Sequence, residues 1–209
     1  MSPDEVASRL EIADLKARYC RGIDRCDLAL LESVFWGDAT VQYGTFDGPA
    51  LEFARLTIAS VRGGCQATLH VIANTLVDVS GDAAQSETYV IAYHSMASAG
   101  LIGDLRFDPA MYPSLRSGEG AGASSERCSF VVGARYLDLC SCHDTRWRIA
   151  HRTYVWDWCQ MGPANLLFDA ASTRSRLPTG RRDADDPSYS VLNAPSFRRH
   201  VPQTAQTAK

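Results

Sequence analysis

The sequence predicts an α+β fold: a curved, mixed or antiparallel sheet wrapped over N-terminal helices, enclosing a pocket between the two layers. Three observations carry this. Residues 3–64 are mostly helical in pattern. From Thr68 the apolar period switches to β-branched, alternating stretches. Those stretches come as two long hairpins, which favours antiparallel neighbours with helices gathered on one face.

The elements follow in order. Ser2-Pro3-Asp4-Glu5 supplies a capping hydroxyl, a proline for the first turn and acids near the positive helix end, predicting a helix over 3–23. Val6, Leu10, Ala13, Ala17 and Cys20 fall at helical spacing along it. Asp27 caps a second short helix, Leu28 to Phe35. Ala39 to Tyr43 reads as a strand, Asp47-Gly48-Pro49 as a turn, and Pro49 to Val61 as a third helix ended by Gly63-Gly64. Thr68 to Val79 and Ala83 to Met96 form a hairpin about Ser80-Gly81-Asp82. Arg127 to Cys140 and Thr145 to Trp158 form another, joined by Cys142-His143-Asp144. Ser98 to Ser125, with Gly118-Glu-Gly120-Ala-Gly122, reads as a long hairpin loop without the Lys-Ser/Thr ending of a phosphate loop. From Met161 apolar density falls. The expected organisation is one domain over 1–160 and a largely irregular tail over 161–209, with a short ordered patch near Pro187 to Leu192.

Composition narrows the function. The 209 residues hold 21 Lys+Arg against 24 Asp+Glu, a formal charge of -3, so a broad nucleic-acid surface is not expected. Apolar runs are too short to span a bilayer, and Asp4 and Glu5 stand where a signal peptide carries basic residues. A soluble, cytoplasmic protein without a membrane partner is the expectation. Seven cysteines in odd number point to reduced thiols. Cys140-Ser141-Cys142-His143 offers half of a metal site with no second pair, and no dinucleotide fingerprint or nucleophile elbow is present. Neither metal nor cofactor is expected.

The chemistry-bearing residues are few. Asp24 ends the first helix, where a carboxylate meets the unfavourable end of the dipole unless it has another task, such as capping the next turn. His70 lies in Ala67-Thr-Leu-His-Val-Ile-Ala-Asn74, and strict alternation puts His70, Ile72, Asn74 and Leu76 on one face. Such a histidine is either hydrogen-bonded core or a general base held by a carboxylate. His94, with Val90 and Ala92 on its face, either lines the same cavity or sits at its rim, the rim being favoured. Arg152, Tyr154 and Trp156 share a face. Arg152 either anchors a substrate oxygen or bridges to Glu87 or Asp138. Tyr19, Trp36, Tyr43, Phe46 and Tyr89 are candidate walls of an apolar pocket.

Five stretches together resemble one family: Ile12 to Asp24, Phe35 to Ala39, Leu69 to Asn74, Glu87 to His94, and Arg135 to Asp138 with Trp147 to Arg152. They resemble the SnoaL-like branch of the nuclear transport factor 2-like superfamily, over most of residues 5–158. The resemblance implies a cone-shaped α+β fold with an internal pocket. It also implies an Asp24–His70 acid/base dyad of the kind used by scytalone dehydratase and hexachlorocyclohexane dehydrochlorinase. Arg152 falls near a polar pocket position of the dehydrochlorinase, and Phe46 where that enzyme has a pocket aromatic. The expected activity is that of a cofactor-independent lyase or isomerase on a small apolar ring compound. Asp24 and His70 would be catalytic; Tyr19, Trp36, Tyr43, Phe46, Asn74, Val90, His94, Arg152 and Tyr154 would bind substrate. The alternative is a non-catalytic module binding a small hydrophobic ligand in the same cone. Related sheets pack by their outer faces, which implies a homodimer or homotrimer.

Overall fold

The computed structural model describes residues 1–96, 128–163 and 179–192, so the expected loop from Ser98 to Ser125 lies outside the described residues. The chain divides into two compact units, Met1–Asn165 and Leu166–Lys209. In chain order the first unit holds α1 (Pro3–Asp24), α2 (Leu28–Ser33), β1 (Phe35–Tyr43), β2 (Phe46–Pro49), α3 (Ala50–Gly64), β3 (Cys65–Ser80), β4 (Ala83–Met96), β5 (Cys128–His143) and β6 (Arg146–Pro163). The strands form one six-stranded sheet in the order β2-β1-β6-β5-β4-β3. Only β1 and β6 run parallel; the remaining pairs are antiparallel. In the second unit, α4 (Pro187–Leu192) follows Asp186, whose carboxylate accepts the backbone N–H of Arg181 (2.7 Å) and Ser188 (3.0 Å). Among the described residues no helix is long and apolar enough to cross a membrane.

Local chemistry explains the boundaries. The Ser2 hydroxyl accepts the Glu5 N–H (3.2 Å) and the Asp27 carboxylate accepts the Leu30 N–H (3.0 Å), so both expected helix starts are made. α1 ends in a paired closure: the Asp27 N–H reaches Gly22 O (2.8 Å) and the Cys26 N–H reaches Ile23 O (3.1 Å). Cys26 takes the left-handed conformation there (φ 51°), a position glycine usually fills. The β5–β6 turn is Asp144-Thr145, both with positive φ, which matches the twist of the long strands it joins.

Four expectations are corrected. The buried stripe of α1 is Ile12, Leu15, Lys16, Tyr19, Cys20, Ile23 and Asp24, while Val6 and Leu10 are exposed. The face is rotated from the expected one because it carries Lys16 and Asp24, charged residues with buried partners. Asp47-Gly48-Pro49, read as a turn, belongs to a strand, Phe46–Pro49, paired to β1 behind a turn whose Gly44 has φ 60°. The β5–β6 turn begins at Asp144, with Cys142 and His143 still in β5. β6 continues to Pro163, past the point where apolar density falls, because Cys159 and Met161 still pack on the core.

The sheet's inner face, with α1 and α3 against it, forms the core around Leu15, Tyr19, Phe35, Phe130, Tyr136 and Ile149. Three of the sheet's irregularities bear on the residues of interest; one is the extra residue Ala150 in β6, between the partners of Leu139 and Cys140, on either side of which Ile149 and Arg152 are both buried. In β3, Ala73 and Asn74 together face Tyr89, a bulge between Ile72 and Thr75. In β6 an extra residue, Asp157, sits between the partners of Gly133 and Ala134. Beyond each bulge the alternation is inverted.

Gly22 marks the closest helix approach: a Cβ built there would stand 3.0 Å from the backbone of Leu31. Gly22→Ala gains roughly 1 kcal/mol in helix propensity. The overpacking it forces costs about 1–3 kcal/mol. The expected outcome is net destabilisation, read as a lower urea midpoint at unchanged slope; a raised midpoint would contradict this packing.

Candidate functional site

The site begins at the C-terminus of α1. Asp24, the last residue of that helix, does not cap the following turn. Its Oδ2 accepts the backbone N–H of His70 (2.9 Å), and its Oδ1 accepts the His70 ring Nδ1–H (2.7 Å). The carboxylate thus grips both the strand and the side chain of one residue. The two side chains are almost buried, 5% exposed for His70 and 8% for Asp24.

Electrostatics fit a charged acid. Burial alone would raise the Asp24 pKa; the His70 ring and backbone hydrogen bonds, with the neighbouring Thr68 hydroxyl, outweigh it and hold the pKa below the usual carboxylate value. A carboxylate can only accept, so the proton on this bond belongs to Nδ1 and Nε2 is left as the basic ring nitrogen.

The structure brings some expected residues to this pair. His94 is buried on the inner face of β4, with its ring edge-to-face at 5.3 Å from His70. It therefore lies inside rather than at the rim. Val90 is buried two residues before Ala92, the cross-strand partner of His70. Sequence reasoning passed over Phe130, whose ring lies 6.0 Å from His94, and named Trp156, 5.8 Å from Phe130, only as sharing a face with Arg152. It also passed over Thr68, which simple alternation from His70 would have found.

Other expected residues lie elsewhere. Asn74 is exposed on the outer face, because the Ala73–Asn74 bulge inverts the alternation after Ile72. Leu76 follows it outward. Trp36 stacks on His143 (4.3 Å) and donates to Ser141 O (3.2 Å), near the β5–β6 turn and many residues along the strands from the level of His70. Tyr43 stacks on Tyr154 at 3.9 Å and packs on Phe53, as does Phe46 at 5.5 Å. Tyr89 is exposed on the outer face.

Arg152 is the largest departure. No surface of it is accessible, so it is core rather than pocket wall. Its Nε and Nη2 form a fork on the two oxygens of Asp138 (2.6 and 2.9 Å). The Lys16 Nζ reaches the same carboxylate at 2.7 Å, also fully buried. The guanidinium rests against the faces of both Tyr19 (4.1 Å) and Tyr136 (4.0 Å), whose rings meet edge-to-face at 5.3 Å. Of the two bridges left open by the sequence, Asp138 is the one made; Glu87 pairs with Arg135 instead (2.9 Å). The seven cysteines are free thiols, and Cys140 lies 3.7 Å from Lys16 Nζ.

Comparison with known proteins places this geometry in context. A family profile described as a SnoaL-like domain matches residues 4–153. An uncharacterized protein of Mycobacterium tuberculosis (strain ATCC 25618 / H37Rv) is 31% identical over 102 residues, 48% of this chain and 68% of that protein. Among solved structures, a candidate scytalone dehydratase from Novosphingobium aromaticivorans DSM 12444 superposes with a TM-score of 0.59 at 17% identity, covering 77% of this chain and 91% of that one. A type-3 hexachlorocyclohexane dehydrochlorinase from Novosphingobium barchaimii LL02 does so with a TM-score of 0.58 at 18% identity, covering 76% and 92%. At these identities the structural likeness is one of fold.

The Asp138 knot predicts an acid limb of stability. Burial would raise its pKa, but Arg152 and Lys16 overcome that and hold it at about 2. An unfolded aspartate titrates near ~3.9. The folded value is the lower one, so the stabilisation is complete above ~4 and is lost as pH falls toward 2. Urea melts across this range are expected to lose stability in wild type and to show a shallower loss in Asp138→Asn. At neutral pH that variant, which strands two buried cations, is expected to cost about 3–5 kcal/mol.

Proposed function

The chain belongs to the SnoaL-like domain family, and from that premise we propose that it is a cofactor-independent lyase or isomerase acting on a small, largely apolar ring compound through Asp24 and His70. One observation carries the reading: the Asp24 carboxylate holds the His70 ring at 2.7 Å through Nδ1, which leaves Nε2 as the base. Relatives of the same fold named as a scytalone dehydratase and a hexachlorocyclohexane dehydrochlorinase support a reaction that begins with proton removal from carbon.

On this reading Nε2 of His70 takes a proton from a carbon acidified by a neighbouring carbonyl or leaving group. In an elimination the C–H electron pair becomes the new double bond, and the leaving group departs with its own pair. The proton then passes from His70 to the leaving group or to water. In an isomerisation the same proton returns to a different carbon. Asp24 stays ionised throughout, orients the ring and stabilises the imidazolium. His94, at 5.3 Å from His70, is the nearest described ring able to meet a developing oxyanion or departing group. The buried ring of Phe130 and the half-buried ring of Trp156 suit an apolar substrate body.

The chain is further proposed to act as a homodimer or homotrimer joined by its outer sheet face. Leu69, Val71, Leu76, Tyr89, Ile91, Leu139 and Trp158 all lie outward there at 42–66% exposed, more apolar surface than a monomer commonly leaves in one place. Arg135 with Glu87 and Asp157 sets both charge signs within that face, so it complements a second copy of itself.

Two measurements check these readings. Ring ketones, hydroxylated aromatics and steroids are screened by thermal shift, and stabilising compounds are assayed for turnover. His70→Ala and Asp24→Asn are each expected to lower turnover by about 10²–10⁴-fold with the circular dichroism of the sheet unchanged. An undiminished rate in either variant removes the pair from the mechanism, and stabilising ligands that wild type never converts favour the ligand-binding alternative. In sedimentation, wild type is expected to run as a dimer or trimer and Ile91→Glu as a monomer; a monomeric wild type contradicts the interface.

A further inference from the structure

Three fully buried charges lie about two helical turns along α1 from Asp24 and take no part in the proton transfer. Lys16 and Arg152 share the single carboxylate of Asp138. Burying such groups carries a desolvation cost that their attraction must offset, and apolar residues of similar volume would often serve stability as well. Their geometry offers something apolar packing does not. An apolar contact is non-directional, whereas a forked carboxylate–guanidinium pair fixes position and angle.

The placement along α1 is what gives the knot a task. Lys16 joins α1 to β5 through Asp138. Tyr19, one turn later on the same helix, lies on the guanidinium that β6 supplies. Arg152 in turn is fixed to β5 by both Asp138 oxygens. Two directional contacts, three residues apart, therefore set both the rotation of α1 and its position along its axis against the sheet. Asp24 stands eight residues beyond Lys16, about 12 Å along the helix. Its two bonds to His70, at 2.7 and 2.9 Å, tolerate little sliding, and a slip of about 1 Å in α1 would carry one or both out of hydrogen-bond range.

We infer that the Lys16–Asp138–Arg152 knot is the register lock of α1, and that Lys16 and Asp138 are positioning residues that aim the Asp24 carboxylate at His70. The inference rests on the proposed reading of Asp24 and His70 as the working pair. Misplacement of a catalytic group by about 1 Å can cost on the order of 10²-fold in rate, so a lock of this kind has a functional consequence beyond stability.

The decisive variant is Lys16→Met in the full chain. It cuts the tether from α1 but leaves the neutral Asp138–Arg152 pair in place, so the core is not left with stranded cations. The readout is the hydrogen-bonded Nδ1–H of His70 in long-range proton–nitrogen NMR of the imidazole rings, assigned by its loss in His70→Gln. Wild type is expected to show a protected, low-field Nδ1–H. Folded Lys16→Met is expected to lose it to exchange, while Phe53→Leu on α3, a core change of other origin, keeps it. A folded Lys16→Met with the resonance intact overturns the lock and leaves the pair standing, as does equal loss in Phe53→Leu. Absence of the resonance in wild type overturns the pair and the lock together.

Discussion

The arrangement depends on one carboxylate with two obligations. Asp24 ends α1, where the helix dipole disfavours a negative charge, and it is almost buried. What holds it ionised is His70, which supplies a backbone N–H to one oxygen and the ring Nδ1–H to the other. Because both donors come from one residue, the bond fixes the strand and the ring together. The same contact settles the tautomer, so the proton-accepting nitrogen points away from the acid. Break it, and a buried acid, a helix end and an imidazole orientation all lose their reason at once.

Around that contact the interior is graded. At one end of the inner face are paired charges, Lys16, Asp138 and Arg152, with the guanidinium against an edge-to-face pair of tyrosine rings. Stacked Tyr43 and Tyr154 come next, then Trp156 and Phe130, then the two histidines. α1 runs across these levels, touching the charges at Lys16 and the histidine at Asp24. Burial raises the Cys20 thiol to about 12, against the opposing pull of Arg152, so no thiolate competes with Asp24 on this face. The directional contacts of the helix's buried stripe sit at Lys16, Tyr19 and Asp24, with Cys20 and Ile23 packed between the last two.

Much of this was legible in the sequence because local chemistry is short-ranged. Ser2 and Asp27 announce their helices, Gly81 its hairpin, and the β-branched run after Thr68 its strand. Asp24 and His70 stood out as polar residues in apolar settings, although their partnership came from the family resemblance rather than from spacing. What escaped was whatever depends on a partner distant in the chain. Nothing near Asn74 signals that Ala73 and Asn74 will bulge opposite Tyr89, yet that one residue turns Asn74 and Leu76 to solvent. Lys16 reads as a surface lysine until Asp138, far along the chain, is brought to it. Arg152 read as a pocket wall because its two rivals for a salt bridge, Glu87 and Asp138, are equivalent in sequence and differ only in which face of the sheet they occupy.

The central claim is that His70, held by Asp24, takes a proton from carbon. It is tested most directly by deuterium wash-in at the acidic carbon of a bound ring ketone in D2O, followed by NMR, because exchange needs no leaving group and reports the proton transfer alone. The account predicts catalysed exchange by the wild-type chain at one face of the ring, reduced to the uncatalysed background when His70 is replaced by alanine. Exchange that proceeds at the wild-type rate without the imidazole would contradict it.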